Sequence, residues 1–138
     1  MKEKKLIFVI DDEKDLTDII KYEFEALGFV IRTAADGIEG LETLKSISPQ
    51  LIILDLNMPR MGGVEFYKNI LDEKGNPPYP VLILTARVHD HELLQKYKFD
   101  SIMTKPFEIP ELIERCRKLL GTKGIGPQAI SISLGPYV

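Results

Sequence analysis

An α/β fold with one parallel sheet is predicted by three features of the sequence. First, apolar runs of strand length occur at residues 6–10, 51–54 and 81–84, without the alternation expected of a half-exposed strand. Second, segments with apolar residues at helical spacing separate these runs. Third, strand and helix patterns alternate five times along the chain. This order predicts a parallel sheet with helices on both faces and right-handed crossovers.

The first strand and the first helix lie close to the N-terminus. Leu6–Ile10 is entirely apolar and ends at the acidic residues 11–13. The spacing of apolar residues then predicts a helix from about Lys14 to Leu27, with acidic residues in its first turn. Gly28 supplies a stop signal for this helix.

The second strand has a more mixed composition than the first. Phe29–Ala34 contains both apolar and polar residues, which is typical of a strand near a sheet edge. Leu41, Leu44 and Ile47 predict a second helix that ends near residues 48–49. A residue before proline avoids the helical conformation, so Pro49 marks this end.

The third strand is directly followed by one aspartate. Leu51–Leu54 leads into Asp55, and the Pro and Gly residues of 59–63 then take the chain out of the sheet. A short third helix is predicted from Phe66 to Leu71. Residues 74–80, rich in Gly, Asn and Pro, are predicted to form a loop.

The fourth strand, at residues 81–84, leads into Thr85. A weakly patterned helix is predicted around Leu93 and Leu94, before a fifth strand at 101–103. Lys105 follows that fifth strand.

A last helix is predicted to begin near Pro110 and to run to about residue 120. Proline is favourable at a helix start because its missing N–H would have no partner there. Cys116 falls on the apolar face of this helix, which predicts a small buried side chain rather than a reactive thiol.

The composition limits the classes of function. The chain has 138 residues, a formal charge of −3 and scattered basic residues, which argues against direct binding of nucleic acid. No apolar run approaches the ~20 residues that a membrane span needs, and residues 1–5 do not begin a signal peptide. A single cysteine cannot form an internal disulfide framework. We therefore expect a cytoplasmic protein without a membrane segment.

Polar residues at the strand ends predict a site. In a parallel sheet, Asp11, Asp12, Asp55 and Thr85 reach the same edge, and Lys105 follows the last strand. Crowded carboxylates repel one another unless a cation joins them, and hard oxygen ligands with open positions suit Mg²⁺. A lysine and a hydroxyl nearby could bind phosphoryl oxygens. Asp55 is then left as a nucleophile that could form an aspartyl-phosphate.

The sequence resembles the receiver domain of bacterial two-component response regulators. Four motifs carry the resemblance, and their order and spacing cover residues 5 to about 120. The motifs are Val9–Glu13, Leu54–Gly63, Leu84–Ala86 and Lys105–Phe107.

This resemblance implies a flavodoxin-like (βα)5 fold with a five-stranded sheet of order 2-1-3-4-5. It implies that Asp55 accepts a phosphoryl group from a histidine kinase or a phosphotransfer protein. Phosphorylation would then change a face that a downstream output protein or output domain reads. In relatives, that face is formed by the fourth helix, the fifth strand and the fifth helix.

The resemblance also assigns roles at the site. Asp12 is implied as a direct ligand of Mg²⁺ and Asp11 as a ligand through water, with further oxygens from Asp55 and the backbone carbonyl of Asn57. Thr85 and Lys105 are implied to hold the phosphoryl oxygens. The bond from Lys105 to the following proline is cis in similar proteins.

The chain departs from the family pattern in the presumed output region. Many relatives carry Tyr or Phe three residues before the lysine, and Ile102 stands there in this chain. Residues 1–120 are therefore predicted as a receiver domain, and residues 121–138 as a linker or tail of open role. This tail could begin an output domain, pack on a sheet edge, or pair with a second chain in a homodimer.

Two alternative functions were weighed against a phosphorylated switch. A phosphatase with an aspartyl nucleophile generally has a second acid two residues later, and Asn57 at that position counts against it. We therefore expect no enzyme activity beyond slow self-dephosphorylation. The other alternative is a receiver-like interaction domain that is never phosphorylated. The presence of all five site residues disfavours it: Asp11, Asp12, Asp55, Thr85 and Lys105.

Overall fold

The computed structural model describes residues 4–86, 95–97 and 99–121. Within these ranges the chain forms five strands and four helices. They are β1 (Leu6–Ile10), α1 (Lys14–Ala26), β2 (Val30–Ala34), α2 (Gly37–Leu44), β3 (Leu51–Asp55), α3 (Gly63–Ile70), β4 (Val81–Thr85), β5 (Ser101–Thr104) and α4 (Ile109–Leu120). The helix predicted around Leu93 and Leu94 and the tail after residue 121 lie outside the described residues.

The five strands form one parallel sheet in the order β2-β1-β3-β4-β5. The predicted fold class and strand order are therefore confirmed. Strand β2 lies at one edge of the sheet, as its mixed composition indicated, and β5 lies at the other. The register aligns Ile10 with Leu54 on the neighbouring strand, and Asp55 with Leu84 on the next. Residues that follow these strands consequently emerge side by side.

The sheet is covered on both faces by apolar side chains. Alternate residues of β1 point to opposite faces: Ile7 and Val9 belong to one core layer, and Phe8 and Ile10 to the other. All four are fully buried, which explains why the strand shows no hydrophobic alternation. The first layer includes the buried residues of α1 and α4, and the second includes those of α3.

The positions where the helices end are explained by residues near each C-terminus. Gly28, after α1, and Gly121, after α4, have φ values of 96° and 69°, a region that glycine adopts without steric cost. Helix α2 ends at Leu44, earlier than its apolar pattern predicted. The Ser46 hydroxyl donates to the Thr43 carbonyl over 3.2 Å, an interaction that competes with helix continuation.

Two single residues flagged by the sequence can be placed. Cys116 is fully buried in the first core layer, which confirms the prediction of a packing role. Ile102 is partly buried against the second layer. That layer also holds an aromatic cluster, in which the ring of Tyr67 lies 4.7 Å from Phe99 and 5.7 Å from Tyr97. Among the described residues, none of the helices has the length and apolar character needed to cross a membrane.

Candidate functional site

Three carboxylates meet at the carboxyl edge of the sheet. Asp11 directly follows β1 and Asp55 ends β3, and the side chains of both are almost completely buried. Asp12 follows Asp11 and is exposed. One carboxylate oxygen from each of the three lies within 4.8 Å of the others. The parallel pairing of β1 with β3 is what brings these acids together, as predicted.

Lys105 reaches into this cluster from the segment after β5. Its ammonium donates to Asp11 Oδ2 over 2.8 Å and to Glu13 Oε1 over 2.9 Å. The same nitrogen lies 3.8 Å from Asp55 Oδ1. Only 12% of the lysine side chain is exposed and the Asp11 side chain is fully buried, so their contact is shielded from solvent, whereas the Glu13 side chain is 56% exposed. The peptide bond between Lys105 and Pro106 is cis, as the resemblance implied.

Thr85 ends β4 and is buried. Its backbone carbonyl accepts a hydrogen bond of 2.9 Å from the Lys105 N–H, which fixes the chain after β5 against β4. One residue earlier, the Leu84 carbonyl accepts from the Leu56 N–H over 3.2 Å. Thr85 therefore lies at the same edge as Asp55 and Lys105.

Asn57 begins the loop that follows the buried aspartate. Its side chain is exposed, and its backbone N–H donates to Asp55 Oδ1 over 3.4 Å. The resemblance implied a role only for its backbone carbonyl, as a ligand of Mg²⁺. The N–H contact places the Asn57 backbone beside the aspartate.

Burial and like charge change the acidity of the two inner aspartates. Loss of solvent, together with the nearby Asp11 carboxylate, raises the pKa of Asp55 to about 7, although the charge of Lys105 opposes this. Burial also raises the pKa of Asp11 despite its hydrogen bond from Lys105. A carboxylate pair of this kind is stabilised in its ionised form by an added cation.

The pKa of Lys105 is also raised, which for a lysine favours the charged form. Burial by itself would lower the pKa of its ammonium, but the hydrogen bonds to Asp11 and Glu13 outweigh that effect and raise it. The lysine is consequently charged over the whole physiological range.

Glu13 is the site residue that sequence reasoning undervalued. It was counted among the acids of the first helical turn, and it does occupy the N-cap position of α1. However, its side chain makes no capping hydrogen bond and binds Lys105 instead. The available signal was its place directly after Asp11 and Asp12 at a strand end. Nothing local in the sequence indicates that Lys105 reaches it.

The donor set fits a hard divalent cation. Asp11, Asp12 and Asp55 offer carboxylate oxygens, the ligand type that Mg²⁺ prefers, and no nitrogen or sulfur ligand belongs to this group. Two of the acids are buried and one is exposed, so a bound ion could keep water on its open side.

Comparison with known proteins gives the family. The model of the response regulator receiver domain matches residues 7–117. The chain belongs to this family. The match includes both core layers and every strand of the sheet.

Full-length regulators are among the relatives of this receiver domain. It is 32% identical over 125 residues to the DNA-binding dual master transcriptional regulator RpaA of Synechocystis, covering 89% of this chain and 52% of that protein. It is 33% identical over 118 residues to the alkaline phosphatase synthesis transcriptional regulatory protein PhoP of Bacillus subtilis, covering 84% and 48%. The chain thus spans about half the length of these relatives.

Solved receiver structures match over nearly their whole length. The receiver domain of the Francisella response regulator 1452 has a TM-score of 0.76 and 32% identity, covering 86% of this chain and 98% of that one. Response regulator TrrA of Thermotoga maritima, solved in complex with Mg²⁺-BeF, has a TM-score of 0.72 and 34% identity, covering 83% and 98%.

Family membership fixes the general function of the chain. It is a receiver domain of a two-component phosphorelay, which is a signalling domain and not, in general, an enzyme. Receiver domains generally bind Mg²⁺ at an acidic site, and Asp11, Asp12 and Asp55 form such a cluster here.

Proposed function

We propose that Asp55 accepts a phosphoryl group from a histidine kinase or a phosphotransfer protein, and that this modification controls an output protein or output domain. The convergence of Asp55, the acidic pair after β1 and Lys105 at one edge of the sheet carries this proposal. A buried carboxylate beside a charged ammonium and two further acids has the groups that phosphoryl transfer needs.

The acids at this edge suit Mg²⁺ as the cofactor. Asp11, Asp12 and Asp55 would hold the ion, and the backbone carbonyl of Asn57 would add a further oxygen ligand. The ion supplies positive charge that stabilises the oxygens of the transferring phosphoryl group. The TrrA relative, solved in complex with Mg²⁺-BeF, supports this choice of cation.

The residues of this chain would act by position and charge. A carboxylate oxygen of Asp55 attacks phosphorus, while the bond from phosphorus to the donor's imidazole nitrogen breaks and its electron pair stays on that nitrogen. Lys105 is already 3.8 Å from Asp55, so its ammonium can turn from Glu13 to a phosphoryl oxygen. The Thr85 hydroxyl would donate to a second oxygen.

Removal of the phosphoryl group from Asp55 would need only water as the second reactant. Asn57 stands two residues after the nucleophile, where a hydrolase would need an acid to activate water. We therefore expect slow self-dephosphorylation and no turnover of small substrates.

The remainder of the proposal concerns the whole protein. Residues 1–120 would form the receiver, and residues 121–138 would link it to an output partner or to a second copy. The relatives of about twice this length, RpaA and PhoP, are named as transcriptional regulators, which makes an attached or associated output domain reasonable. A cytoplasmic location goes with a histidine kinase as the donor, because such kinases take phosphate from ATP.

Intact mass spectrometry tests the proposed modification. The full chain is incubated with Mg²⁺ and acetyl phosphate, and its mass is compared with that of untreated protein. We expect the added mass of one phosphoryl group in the parent chain and none in Asp55→Asn. A matched control is Asp18→Asn, because Asp18 is exposed and its ion pair among the described residues is with Lys14 of its own helix. This control should still be labelled.

The two alternatives separate on the same experiment. If no adduct forms with either acetyl phosphate or a histidine-phosphorylated donor protein, the proposal of a phosphorylated switch is wrong. The chain is then a receiver-like interaction domain. If Asp55→Asn is still labelled, another residue is the acceptor and the assignment to Asp55 is wrong.

A further inference from the structure

The loop after the proposed phosphoacceptor is attached at both its base and its tip. This loop, residues 56–62, connects β3 to α3 and contains Asn57. Its base is closed by a hydrogen bond of 3.1 Å from the Gly63 N–H to the Leu56 carbonyl. A Cβ at Gly63 would overlap the Asp55 carbonyl oxygen and the Leu56 Cα, so the base is packed backbone against backbone.

The tip of the loop is held by an ion pair to another loop. Arg60 Nε donates to Asp36 Oδ2 over 2.7 Å, and a second guanidinium nitrogen contacts the same oxygen. Asp36 lies 24 positions earlier in the chain, directly before α2. The contact therefore joins the loop after β3 to the start of a different helix.

Asp36 is itself fixed by two further features. Its side chain is only 6% exposed, and its Oδ1 accepts from the Glu39 N–H over 2.9 Å, which caps α2. The hydrogen bond from Glu39, together with Arg60, holds the pKa of this carboxyl below its usual range. The carboxylate is thus a rigid anchor, and Arg60 is the partner that neutralises its second oxygen.

Arg60 reaches this anchor at a conformational cost. Its φ is 63°, and among the described residues it is the only non-glycine with a positive φ. A left-handed conformation is sterically unfavourable for a residue other than glycine. The Arg60 side chain is 60% exposed, so its burial does not offset the unfavourable backbone conformation. The ion pair with Asp36 is the interaction that does.

A second contact runs beside the ion pair. The Gly37 N–H donates to the Met61 carbonyl over 2.9 Å. A Cβ on Gly37 would lie 2.6 Å from the Met61 Cγ and 2.9 Å from its carbonyl oxygen, so only glycine allows this approach. Two neighbouring residues of each loop therefore face each other.

We propose that Asp36 and Arg60 form a positioning pair, which holds the loop of residues 56–62 and, through it, the backbone of Asn57 at the phosphorylation site. This inference rests on the proposed function of Asp55. The loop is anchored at Leu56 and at Arg60, and Asn57 lies between these anchors. Its N–H already contacts Asp55 Oδ1, so a shift of the loop tip would change the distance between the Asn57 backbone and the carboxylates.

The decisive variant is Arg60→Gly. It removes the ion pair and at the same time relieves the left-handed strain, so its two effects on the stability of the fold oppose each other. If Arg60 has a positioning role, this variant should nevertheless bind Mg²⁺ about tenfold more weakly, as is common when a residue that orients a metal ligand is lost. Amide hydrogen exchange at Asn57 should also become faster.

Two further variants, Asp36→Asn and Arg60→Lys, test whether the charges of the ion pair are needed. Asp36→Asn keeps an oxygen that can cap α2 but loses the charge that binds Arg60, so it should weaken Mg²⁺ binding with little loss of α2. Arg60→Lys keeps one cationic donor and should restore part of the affinity. The matched control is Lys45→Ala, which removes an exposed ion pair with Glu42 near the other end of α2. It should change neither Mg²⁺ binding nor exchange at Asn57.

The measurements are Mg²⁺ titration by calorimetry, thermal unfolding and hydrogen exchange on the full chain. Unchanged Mg²⁺ affinity and unchanged exchange at Asn57 in Arg60→Gly would overturn the positioning role. Weaker binding that only follows a lower unfolding temperature would also overturn it, because that is a loss of stability. If the parent chain binds no Mg²⁺ and takes no phosphoryl group, the proposed function fails, while exchange at Asn57 still decides whether the pair holds the loop.

Discussion

At the scale of single residues, Lys105 shows how one side chain balances several charges. It binds Asp11 and Glu13 and lies near Asp55, so one ammonium compensates part of the charge of three acids. In the described part of the chain, no second basic side chain forms an ion pair with these acids, so part of their negative charge is uncompensated. Burial, together with this uncompensated charge, raises the pKa of Asp55.

The first prediction concerns pH and the Asp55→Asn variant in the absence of metal. With a folded pKa of about 7 against an ordinary 3.8, the folded chain holds a proton that the unfolded chain has released. Stability of the parent therefore falls as pH rises from about 4 to 7. Asparagine has no such proton, so the variant should gain on the order of 2 kcal/mol relative to the parent between pH 5 and pH 7.

Urea unfolding in the presence of a chelator, at pH 5 and pH 7, measures this gain. Asp11 and Asp55 interact, so the gain measures proton uptake by this pair rather than by Asp55 alone. A difference between parent and variant that does not change with pH would show that Asp55 titrates normally.

The second prediction concerns Asp12 and Mg²⁺. Asp12 is exposed and adds like charge near Asp55, so Asp12→Ala should be no less stable than the parent without metal. With Mg²⁺ at 100 times its dissociation constant, the parent should gain about 2.7 kcal/mol of stability by linkage. The variant should gain much less at that concentration. Thermal unfolding with and without Mg²⁺ checks both statements, and equal gains would exclude Asp12 as a ligand.

At the scale of elements, the junction between β3 and α3 is the tightest packing near the site. Gly63→Ala should lower the free energy of unfolding by about 2 kcal/mol or more, since its Cβ would overlap backbone atoms of Asp55 and Leu56 that cannot move independently. Gly62→Ala is the matched control, because the nearest atom to its Cβ is the Leu56 carbonyl oxygen at 3.2 Å. Chemical denaturation should show a clearly larger loss for Gly63→Ala, and similar losses would contradict the packing described.

The strands and their pairing could be predicted from the sequence better than the contacts between distant side chains. Buried runs such as Leu51–Leu54 have no alternation because both faces of the sheet are covered, and this signal is local. The placement of Asp11, Asp55 and Lys105 followed from parallel pairing alone. The contacts of Glu13 with Lys105 and of Asp36 with Arg60 join distant positions, so no local pattern could have indicated them.

At the scale of the whole molecule, the role of residues 121–138 is the main open prediction. Light scattering should be measured on the full chain and on a chain that ends at Gly121, where α4 terminates with a left-handed residue. A dimer of the full chain that becomes a monomer on truncation would support pairing through the tail. A full chain that is already monomeric would exclude the homodimer.

The contribution of α4 to the first core layer bears on synthesis of the protein. Ile109, Leu112, Ile113 and Cys116 complete a layer whose other members include residues as early as Ile7. Until residue 116 has left the ribosome, the part of this layer that α4 covers stays exposed, although α1 can already pack on the same face. Since burial of such side chains supplies much of the folding free energy, the domain should close only when nearly all of it has been translated. Phosphoryl acceptance at Asp55, as proposed, would then require a fully translated receiver domain.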